Sequence, residues 1–432
     1  MKAGHLLVLG NSAAALTAVR AYRAHGGAAR VTMVSSEDCP AYSPVLTTYY
    51  LRDKVAEEAL YLCTAADYRA LDVECRFGVA AEELDAEART VALSDGSVTE
   101  YDRLLIATGA RPRHVDAGGL DPEAAAEVCY LRTLADARRI RERAAGAAHV
   151  VVLGAGLVSL QVAAALARPD RRVTCVVSSH QILSQNVDAG AAGLLRDHVE
   201  RSANVGFVFG ADVAGLEVAD GGYRLRLGSG EELAADLVVA GKGIEPNLGF
   251  VESGQLRVDR GLVVGRTMRT SRPDVYAAGD VAECRNRVTR RTEPVTNWID
   301  ACEQGRIAGA NLAGHEVTTP GSVAENVTTL FGLPVASVGI TRPDETGGLE
   351  ELTHHNEALG RYRRLFLRDG RIVGAVLVGD IADAGVLRGV IAGGTAVGET
   401  PEELLVRPLR YADAVRHAVR SPGSSFVPVV PW

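Results

Sequence analysis

The chain has 432 residues, which is longer than one hydrophobic core usually organises, and this length predicts two or three domains. Its net charge of −8 argues against a nucleic-acid-binding protein, because such proteins need clustered positive charge to neutralise phosphates. No apolar run reaches the roughly 18 residues that cross a bilayer, and the seven cysteines lack the close pairs of zinc or redox sites. We therefore expect a cytoplasmic protein with reduced thiols and no membrane segment.

Residues 5–15, with the sequence HLLVLGNSAAA, predict a buried strand, a tight turn and the start of an Ala-rich helix. This geometry points backbone N–H groups and a helix N-terminus at a pyrophosphate. Gly10 permits the bend, whereas Ser12 and Ala15 replace the usual glycines with residues that are still small. Glu37 follows the next predicted strand and is a candidate for accepting hydrogen bonds from an adenosine ribose, although an exposed loop glutamate would look the same.

The same pattern returns about 144 residues later, where residues 149–159 read HVVVLGAGLVS. Two such turns on one chain predict two dinucleotides, a bound flavin and a pyridine nucleotide. In this second unit Ser159 replaces the third glycine. The strand that usually ends in a ribose-binding carboxylate ends instead in Ser178, Ser179 and His180. The choice between NAD and NADP therefore stays open, and so does a loss of pyridine nucleotide binding.

Two later strands are predicted to end beside the first turn. They close with Thr108-Gly109-Ala110 and with Ala278-Gly279-Asp280. An aspartate at a strand end can accept a hydrogen bond from a ribityl hydroxyl, while the neighbouring backbone faces an isoalloxazine ring. An ordinary α/β sheet with turn glycines is the alternative, and these two additional strand ends disfavour it.

The segment from about Pro320 onward has a different character. Two apolar strands flank Asp369-Gly370, which is a strong signal for a two-residue hairpin. Helical segments are predicted near Ala382–Ile391 and Arg410–Val419. The sequence therefore predicts an α/β fold with two Rossmann-like nucleotide-binding domains and a separate C-terminal α+β domain.

Together these segments resemble the FAD-dependent pyridine nucleotide–disulfide oxidoreductase superfamily. More narrowly, they are similar to the branch that contains rubredoxin and ferredoxin reductases and the NADH-oxidising part of assimilatory nitrite reductase. The segments that carry the resemblance are Gly10–Ala15, Glu37–Tyr50, Ala107–Gly109, Gly154–Ser159, Ala278–Asp280, Asn297–Gly314 and Thr329–Thr341.

The resemblance implies a discontinuous FAD-binding domain formed by residues 1–113 and 246–319. An NAD(P)-binding domain would occupy residues 114–245, and a C-terminal domain of residues 320–432 would cover the flavin or form an interface. The resemblance also places Asp280 on FAD. Trp298 and Phe331 match positions near the flavin in relatives, although each is equally interpretable as a core aromatic residue.

The expected cofactors are FAD and NAD(P)H. The predicted cofactor-binding residues are Gly10, Asn11, Ser12, Ala13, Ala14, Glu37, Lys54, Val79, Thr108, Gly109, Ala110, Gly279, Asp280, Trp298, Phe331, Gly154, Gly156, Leu157 and Gly243. We assign no catalytic residue, because the flavin carries the difficult chemistry and the protein supplies positioning. We also expect no metal site, since His354-His355 has no partner at ligand spacing.

One departure from the family concerns the thiol. Relatives that reduce disulfides or peroxides use a reactive cysteine just after the second strand, but residues 40–45 read PAYSPV and contain none. Cys39 is nearby but outside the expected position, and an ordinary loop thiol is the favoured interpretation. We therefore predict an NAD(P)H:acceptor oxidoreductase that passes electrons through FAD to a ferredoxin-like or rubredoxin-like protein, or to a small molecule, without a redox-active cysteine.

Two alternatives stay open. The first is a flavin-dependent oxidase or dehydrogenase of a small organic substrate with a vestigial NAD(P) site. Its pocket would be lined by Tyr42, Ser43, Thr47, Tyr49 and Asn297. The second is an electron-transfer subunit of a larger complex. The arginine-rich loop 285–291 is a candidate for docking an acidic electron carrier, and a homodimer is the commonest oligomer in such folds.

Overall fold

The computed structural model describes residues 4–115, 120–219, 221–342, 348–396 and 401–406. The helix predicted near Arg410–Val419 lies outside these residues. Seven sheets organise the described part of the chain, and two of them are five-stranded and parallel. Within the same residues, no helix has the length and apolar character needed to cross a membrane.

The first parallel sheet, called the N-terminal sheet, has strands in the order Val275–Ala277, Arg103–Ile106, His5–Leu9, Arg30–Ser35 and Val73–Phe77. Its central strand is almost completely buried, as expected for a parallel strand covered on both faces. Helix Ala13–Ala24 packs on this sheet and against helix Trp298–Leu312. The two helices approach closely because a Cβ atom at Gly305 or Gly309 would clash with the carbonyl oxygen of Ala14 or Ala18.

The second parallel sheet, called the central sheet, has strands in the order Val205–Phe209, Arg172–Val177, His149–Leu153, Leu237–Ala240 and Cys129–Tyr130. Helices Leu134–Ala144, Leu157–Leu166 and Ala189–Ser202 accompany it. The central sheet therefore repeats the strand–turn–helix plan of the N-terminal sheet, as the sequence predicts.

The two sheets have equivalent side-chain hydrogen bonds as well as the same topology. The Nε2 atom of His5 lies 2.9 Å from the Thr32 hydroxyl, and the Nε2 atom of His149 lies 2.8 Å from the Thr174 hydroxyl. Each histidine begins the central strand of its sheet, and each threonine lies on the neighbouring strand. The two halves can therefore be compared residue by residue.

Smaller sheets complete both halves. Antiparallel three-stranded sheets consist of Ala81–Asp85, Thr90–Leu93 and Val98–Glu100, and of Val213–Ala219, Gly222–Leu227 and Glu232–Ala235. A mixed sheet consists of Leu262–Val263, Ala282–Arg285 and Thr292–Glu293. Where the chain crosses between the two halves, Ala110–Pro112 pairs antiparallel with Ile244–Pro246.

The C-terminal part contains an antiparallel five-stranded sheet, called the C-terminal sheet. Its strands follow the order Glu325–Leu330, Leu333–Gly339, Arg371–Val378, Arg361–Arg368 and Glu350–Asn356. Helix Ala384–Gly393 packs on this sheet, in agreement with the helix predicted near 382–391. The remaining α-helices are Thr47–Leu51, Ala65–Ala70, Pro122–Glu127 and Pro401–Val406, and short 3₁₀ helices cover Pro44–Leu46, Glu57–Leu60 and Glu357–Leu359.

The segment 42–60 joins the N-terminal sheet to the central sheet. Tyr42, Tyr50 and Leu60 are buried in the same hydrophobic cluster as Ile140 of helix Leu134–Ala144. The Nε atom of Arg138 on that helix also donates to the carboxylate of Glu57 at 2.9 Å. Parallel sheets with helices in two units and an antiparallel C-terminal unit confirm the predicted fold class.

Candidate functional site

The first turn is shaped by Gly10. Its φ angle is +113°, and a Cβ atom there would clash with the carbonyl oxygen of Ala107 on the adjacent strand end. Its N–H donates to the carbonyl oxygen of Val34 at 2.7 Å, which holds the turn against the second strand. Ala13 and Ala14 follow as buried residues at the start of the helix. The turn therefore needs glycine at its first position and small residues after it.

The helices that follow both nucleotide turns start without a side-chain cap, as helices Thr47–Leu51 and Ala384–Gly393 also do. The Ser12 side chain makes no capping hydrogen bond to helix Ala13–Ala24, and Gly156 has no side chain with which to cap helix Leu157–Leu166. By contrast, Thr133 and Asn297 cap their own helices with side-chain oxygens. The N–H groups at the two nucleotide turns are therefore left for a ligand, and a phosphate is the ligand that such a helix end favours.

Gly279 brings a third stretch to the first turn. A Cβ atom at Gly279 would lie 3.1 Å from the Cβ atom of Ala14. The N–H of Gly279 donates to the side-chain carbonyl of Gln304 at 2.8 Å, and this bond is buried. Gln304 was not predicted, because nothing in its local sequence marks it as a partner of a strand end 25 residues earlier.

Asp280 forms an ion pair with Arg132. The Nη2 atom of Arg132 lies 2.7 Å from the Asp280 carboxylate, and both side chains are partly buried. The same nitrogen would lie 3.3 Å from a Cβ atom at Gly109. Arg132, Asp280 and Gly109 therefore share one corner of the site. Sequence reasoning missed Arg132, since it lies between a two-residue strand and a capped helix and belongs to no nucleotide motif.

Asn247 holds the end of the Thr108 strand. Its Nδ2 atom donates to the carbonyl oxygen of Thr108 at 2.9 Å, and the Thr108 hydroxyl donates to the carbonyl oxygen of Asn247 at 2.9 Å. The N–H of Asn247 also donates to the carbonyl oxygen of Gly109 at 3.0 Å. Ala110 is buried and begins the strand that pairs with Ile244–Pro246. The two segments in which the chain passes between the parallel sheets are thus hydrogen-bonded to each other beside the backbone that is predicted to face the flavin.

Glu37 lies where the second strand of the N-terminal sheet has ended. The Tyr42 hydroxyl donates to its Oε2 atom at 2.7 Å and accepts from the backbone N–H of Leu134 at 2.9 Å. Burial raises the pKa of Glu37, while the hydrogen bond from Tyr42 opposes that rise. Val79 is fixed close by, because its N–H donates to the carbonyl oxygen of Ser35 at 2.9 Å.

Asn11 links the first turn to neighbouring loops. Its Nδ2 atom donates to the carbonyl oxygen of Cys39 at 3.2 Å, and its Oδ1 atom accepts from the Tyr68 hydroxyl at 2.7 Å. Both polar ends of this side chain therefore bond to the protein. Asn11 therefore supports the turn through these bonds.

Three predicted residues lie outside the strand–turn–helix segments. Lys54 is exposed and lines a surface pocket with Tyr50, Glu57, Glu58 and Arg141, a lining that contains none of the turn residues. Trp298 is half-buried against the core of the N-terminal sheet, at the first position of its helix. Phe331 lies at the tip of a hairpin of the C-terminal sheet with a φ angle of +51°, and its carbonyl oxygen is 2.9 Å from Nε2 of His198.

The second turn depends on a pairing between Ser159 and Gly241. Gly154 has a φ angle of +112°, and a Cβ atom there would lie 2.6 Å from the carbonyl oxygen of Gly241. The Ser159 hydroxyl donates to that same oxygen at 3.2 Å, and a Cβ atom at Gly241 would overlap the hydroxyl. Because Gly241 has no side chain, Ser159 fits where a third glycine is usual. Leu157 begins the helix, and Gly243 follows at the chain crossing.

Cys39 is not an activated thiol. Burial raises its pKa to about 11, and the carboxylates of Glu37 and Asp38 contribute to the rise. A nucleophilic or redox-active cysteine needs the opposite shift, because the thiolate is the reactive form. All seven cysteines carry free thiols. The raised pKa supports the interpretation of Cys39 as an ordinary loop thiol.

The arginine-rich loop 285–291 is ordered by Asn286, whose Oδ1 atom accepts from the N–H of Val288 at 2.8 Å. Arg285 and Arg290 are exposed. Beside the loop, a polar cleft of about 160 Å³ lies between the central unit and the C-terminal sheet. The loop therefore presents positive charge beside this cleft.

The small-substrate pocket of the first alternative is mostly closed. Tyr42, Ser43 and Thr47 are buried, and the Thr47 hydroxyl donates to the carbonyl oxygen of Pro44 at 2.6 Å. Asn297 caps its own helix through Oδ1, and Tyr49 alone among the five is exposed. For metals, the described residues contain no group of three or more histidine, cysteine, aspartate or glutamate side chains that could hold an ion.

Comparison with known proteins identifies the family. The profile described as pyridine nucleotide-disulphide oxidoreductase matches residues 4–305. The chain belongs to this family. A second profile, the rubredoxin NAD+ reductase C-terminal domain, matches residues 326–395. The chain is therefore a pyridine-nucleotide-linked oxidoreductase, and the family uses FAD and NAD(P)H, as predicted.

The relatives of this oxidoreductase include members of the predicted branch. It is 32% identical over 408 residues to the NADH-dependent phenylglyoxylate dehydrogenase subunit epsilon of Aromatoleum evansii, covering 93% of this chain and 95% of the relative. It is 28% identical to the rubredoxin-NAD(+) reductase of Pseudomonas putida, covering 87% of this chain and 100% of the relative. Among solved structures, a chain of the covalent putidaredoxin reductase–putidaredoxin complex superposes with a TM-score of 0.86 at 26% identity, covering 97% and 99% of the two chains.

Proposed function

We propose that this oxidoreductase takes electrons from a nicotinamide nucleotide at the second turn and delivers them, through FAD bound at the first turn, to a ferredoxin-like or rubredoxin-like electron carrier. The observation that carries the proposal is the pair of equivalent turns, each opening a helix without a side-chain cap, and the raised pKa of the Cys39 thiol agrees with it. FAD, when bound, supplies two-electron acceptance from a nicotinamide and one-electron delivery to a carrier.

The relatives support a protein carrier as the acceptor. One relative is a rubredoxin-NAD(+) reductase, and the structural neighbour is a putidaredoxin reductase joined to its putidaredoxin. In our proposal the exposed Arg285 and Arg290 attract an acidic carrier to the face formed by the loop 285–291, because complementary charge accelerates encounter.

The chain's own residues would position the flavin. In this proposal, backbone N–H groups after Gly10 bind the pyrophosphate, and Glu37 accepts hydrogen bonds from the adenosine ribose. The Arg132–Asp280 pair meets the ribityl–phosphate region, with Arg132 added to the residues predicted from sequence. The backbone of Gly109 faces the ring. The geometry supports these roles because Gly10, Glu37, Gly109 and Asp280 follow strands of one parallel sheet at its carboxyl edge, and Arg132 reaches Asp280 from the end of a strand of the central sheet.

The domain boundaries are part of the proposal. The FAD-binding domain would comprise residues 1–113 and 246–319, with the NAD(P)-binding domain at 114–245 and a C-terminal domain from 320 onward. The crossing strands Ala110–Pro112 and Ile244–Pro246 support this division, since they pair where the chain passes between the two parallel sheets. A cytoplasmic location is also proposed, supported by the free state of all seven thiols.

The test is anaerobic reduction of flavin-loaded protein. NADH and NADPH are each mixed with the protein, and the flavin absorbance near its visible maximum is followed. Bleaching is the expected result, and subsequent addition of oxidised ferredoxin or rubredoxin should restore the absorbance. Purified, folded protein that does not bind FAD, or flavin that neither nucleotide reduces, would contradict the proposal.

A second candidate role is that of an electron-transfer subunit. It is favoured by the relative from Aromatoleum evansii, which is a subunit of a larger dehydrogenase and matches this chain over 93% of its length. Light scattering on the protein purified from its own host at native levels distinguishes the two roles. A stable heteromeric complex supports the subunit, whereas a chain that is free or self-associated supports the stand-alone reductase.

A further inference from the structure

Because the two sheets have the same strand register, they can be aligned to find the residue of the central sheet that corresponds to Glu37. In the N-terminal sheet, His5 is paired with Arg30, and the register runs to Leu9 with Val34. In the central sheet, His149 is paired with Arg172 by the same pattern. Counting outward from the equivalent residues places Ser179 at the position that Glu37 occupies in the first half.

Ser179 has no carboxylate beside it at the end of its own strand. The Ser179 hydroxyl donates to the carbonyl oxygen of Gln181 at 2.7 Å, and its carbonyl oxygen accepts from the N–H of Gly210 at 3.2 Å. Ser178 and His180, on either side, are exposed. The end of this strand is therefore held in a defined place by backbone bonds, but it presents hydroxyl groups and an imidazole instead of a carboxylate.

One carboxylate approaches from the neighbouring strand. Asp212 follows the strand that pairs with this one, and the N–H of Ala211 beside it donates to the carbonyl oxygen of Val177 at 3.1 Å. The Nζ atom of Lys242 lies 2.6 Å from the Asp212 carboxylate. The negative charge of Asp212 is therefore matched by a positive charge in contact with it.

We infer that the second turn accepts a pyridine nucleotide with a 2′-phosphate, and so binds NADPH as well as NADH. This inference rests on the proposed function. A carboxylate at the position of Ser179 would bind the ribose diol of NAD through charge-assisted hydrogen bonds and repel a 2′-phosphate. A serine does neither strongly, so the discrimination between the two nucleotides is small. The exposed Ser178 hydroxyl and His180 imidazole are the donors available to the phosphate.

The test is a gain of selectivity in Ser179→Glu, which restores in the second half the residue type of Glu37. Dissociation constants of NAD+ and NADP+ are measured by calorimetry on the flavin-loaded protein, so that turnover plays no part. In the wild type we expect the two constants to agree within about tenfold, which is 1.4 kcal/mol. In Ser179→Glu we expect NAD+ to bind about tenfold more tightly and NADP+ at least tenfold more weakly.

Ser178→Glu is the matched control, because it adds the same charge one residue earlier. It should weaken NADP+ by a smaller factor and should not tighten NAD+. A wild type that prefers NAD+ by a hundredfold or more would overturn this inference alone, as would a Ser179→Glu variant with an unchanged ratio of constants. If neither nucleotide binds folded wild-type protein, the proposed function fails with it. If the Ser179→Glu variant does not fold, the ratio of the NAD+ and NADP+ dissociation constants of the wild type is the test of the inference.

Discussion

The side-chain carbonyl of Gln304 accepts a buried hydrogen bond of 2.8 Å from the backbone N–H of Gly279, and thereby fixes the strand end that carries Asp280. The Nε2 atom of Gln304 lies 3.5 Å from both the Cys284 sulfur and the Ser322 hydroxyl, so the amide is held at its other end as well. Gln304 is thus a positioning residue for the predicted flavin-binding turn.

Gln304→Leu should weaken both folding and flavin retention. The substitution leaves the buried N–H of Gly279 without a partner, which costs about 1–3 kcal/mol. Urea unfolding and the FAD dissociation constant measure the two effects. Gln255→Leu is the control, because Gln255 accepts from the N–H of Ala86 at 3.0 Å away from the turn. Equal FAD affinity in the two variants would contradict the positioning role.

Asp280→Ala should weaken FAD binding by at least about tenfold, since it removes one acceptor and leaves Arg132 without its 2.7 Å partner. Arg132→Ala should act in the same direction. Dilution followed by fluorescence of released flavin measures the affinity. Glu245→Ala is the control. It breaks the ion pair between Glu245 and Arg111, which is also 2.7 Å long but more exposed, and it should leave flavin binding unchanged. Full flavin occupancy of dilute Asp280→Ala protein would refute the assignment.

The contact between Ser159 and Gly241 predicts a compensating pair of substitutions. Gly241→Ala places a methyl group on the Ser159 hydroxyl and should destabilise the protein by about 1–3 kcal/mol, as overpacking does. Adding Ser159→Gly should recover most of that loss, which a double-mutant cycle in urea measures. If Gly241→Ala alone is as stable as the wild type, Ser159 does not depend on the missing side chain.

Asp300 predicts an unusual dependence of stability on pH. Burial raises its pKa to about 6, although Asn297 donates to its carboxylate at 2.8 Å. A carboxyl with a raised folded pKa binds its proton more tightly in the native state than in the unfolded chain. Its contribution to stability is therefore complete below the ordinary pKa of 3.8 and is lost as the pH rises through 6.

Asp300→Asn should remove this loss, because the amide stays neutral and keeps an acceptor for Asn297. The variant should be more stable than the wild type at pH 7, by up to about 3 kcal/mol, and this advantage should disappear near pH 4. Unfolding in urea from pH 4 to 7 gives the comparison. Asp67→Asn should show the opposite sign, since hydrogen bonds from Thr64 lower the pKa of Asp67. A pH-independent difference for Asp300→Asn would contradict the burial argument.

Cys39→Ser should leave electron transfer from NAD(P)H to the acceptor within about twofold of the wild type, because a thiol with a pKa of about 11 is not a thiolate at neutral pH. Steady-state turnover with a ferredoxin or a rubredoxin measures this. Cys302→Ser, at another half-buried thiol, serves as the control for nonspecific effects. A selective loss of turnover in Cys39→Ser would restore a thiol mechanism.

Much of the site could be predicted because its chemistry is local. The turns at Gly10 and Gly154 are each encoded within about a dozen residues by an apolar strand, a small-residue bend and a helix. Parallel topology then brings the strand end at Gly279 to the first turn, since parallel strands end at one edge of a sheet. Nothing outside these segments was needed to predict the two nucleotide units.

The unpredicted residues act across long separations in the chain. Arg132 reaches Asp280 from 148 positions away, and Asn247 reaches Thr108 from 139 positions away. No periodicity or short motif relates such residues, because their meeting depends on how the chain crosses twice between the units. The role of Lys54 stays a prediction, and in the structure this residue is exposed in a surface pocket.

The histidine–threonine bonds at the start of each central strand, His5 with Thr32 and His149 with Thr174, have a consequence for engineering. They lie towards the amino edges of the sheets, opposite to the edges where we propose that the nucleotides bind. Chemistry can therefore be exchanged at one end of each sheet, as Glu37 and Ser179 already differ, while the anchoring at the other end stays common. The two sheets are therefore similar scaffolds, and the preference for one nucleotide over another can be changed at the few residues that follow each strand.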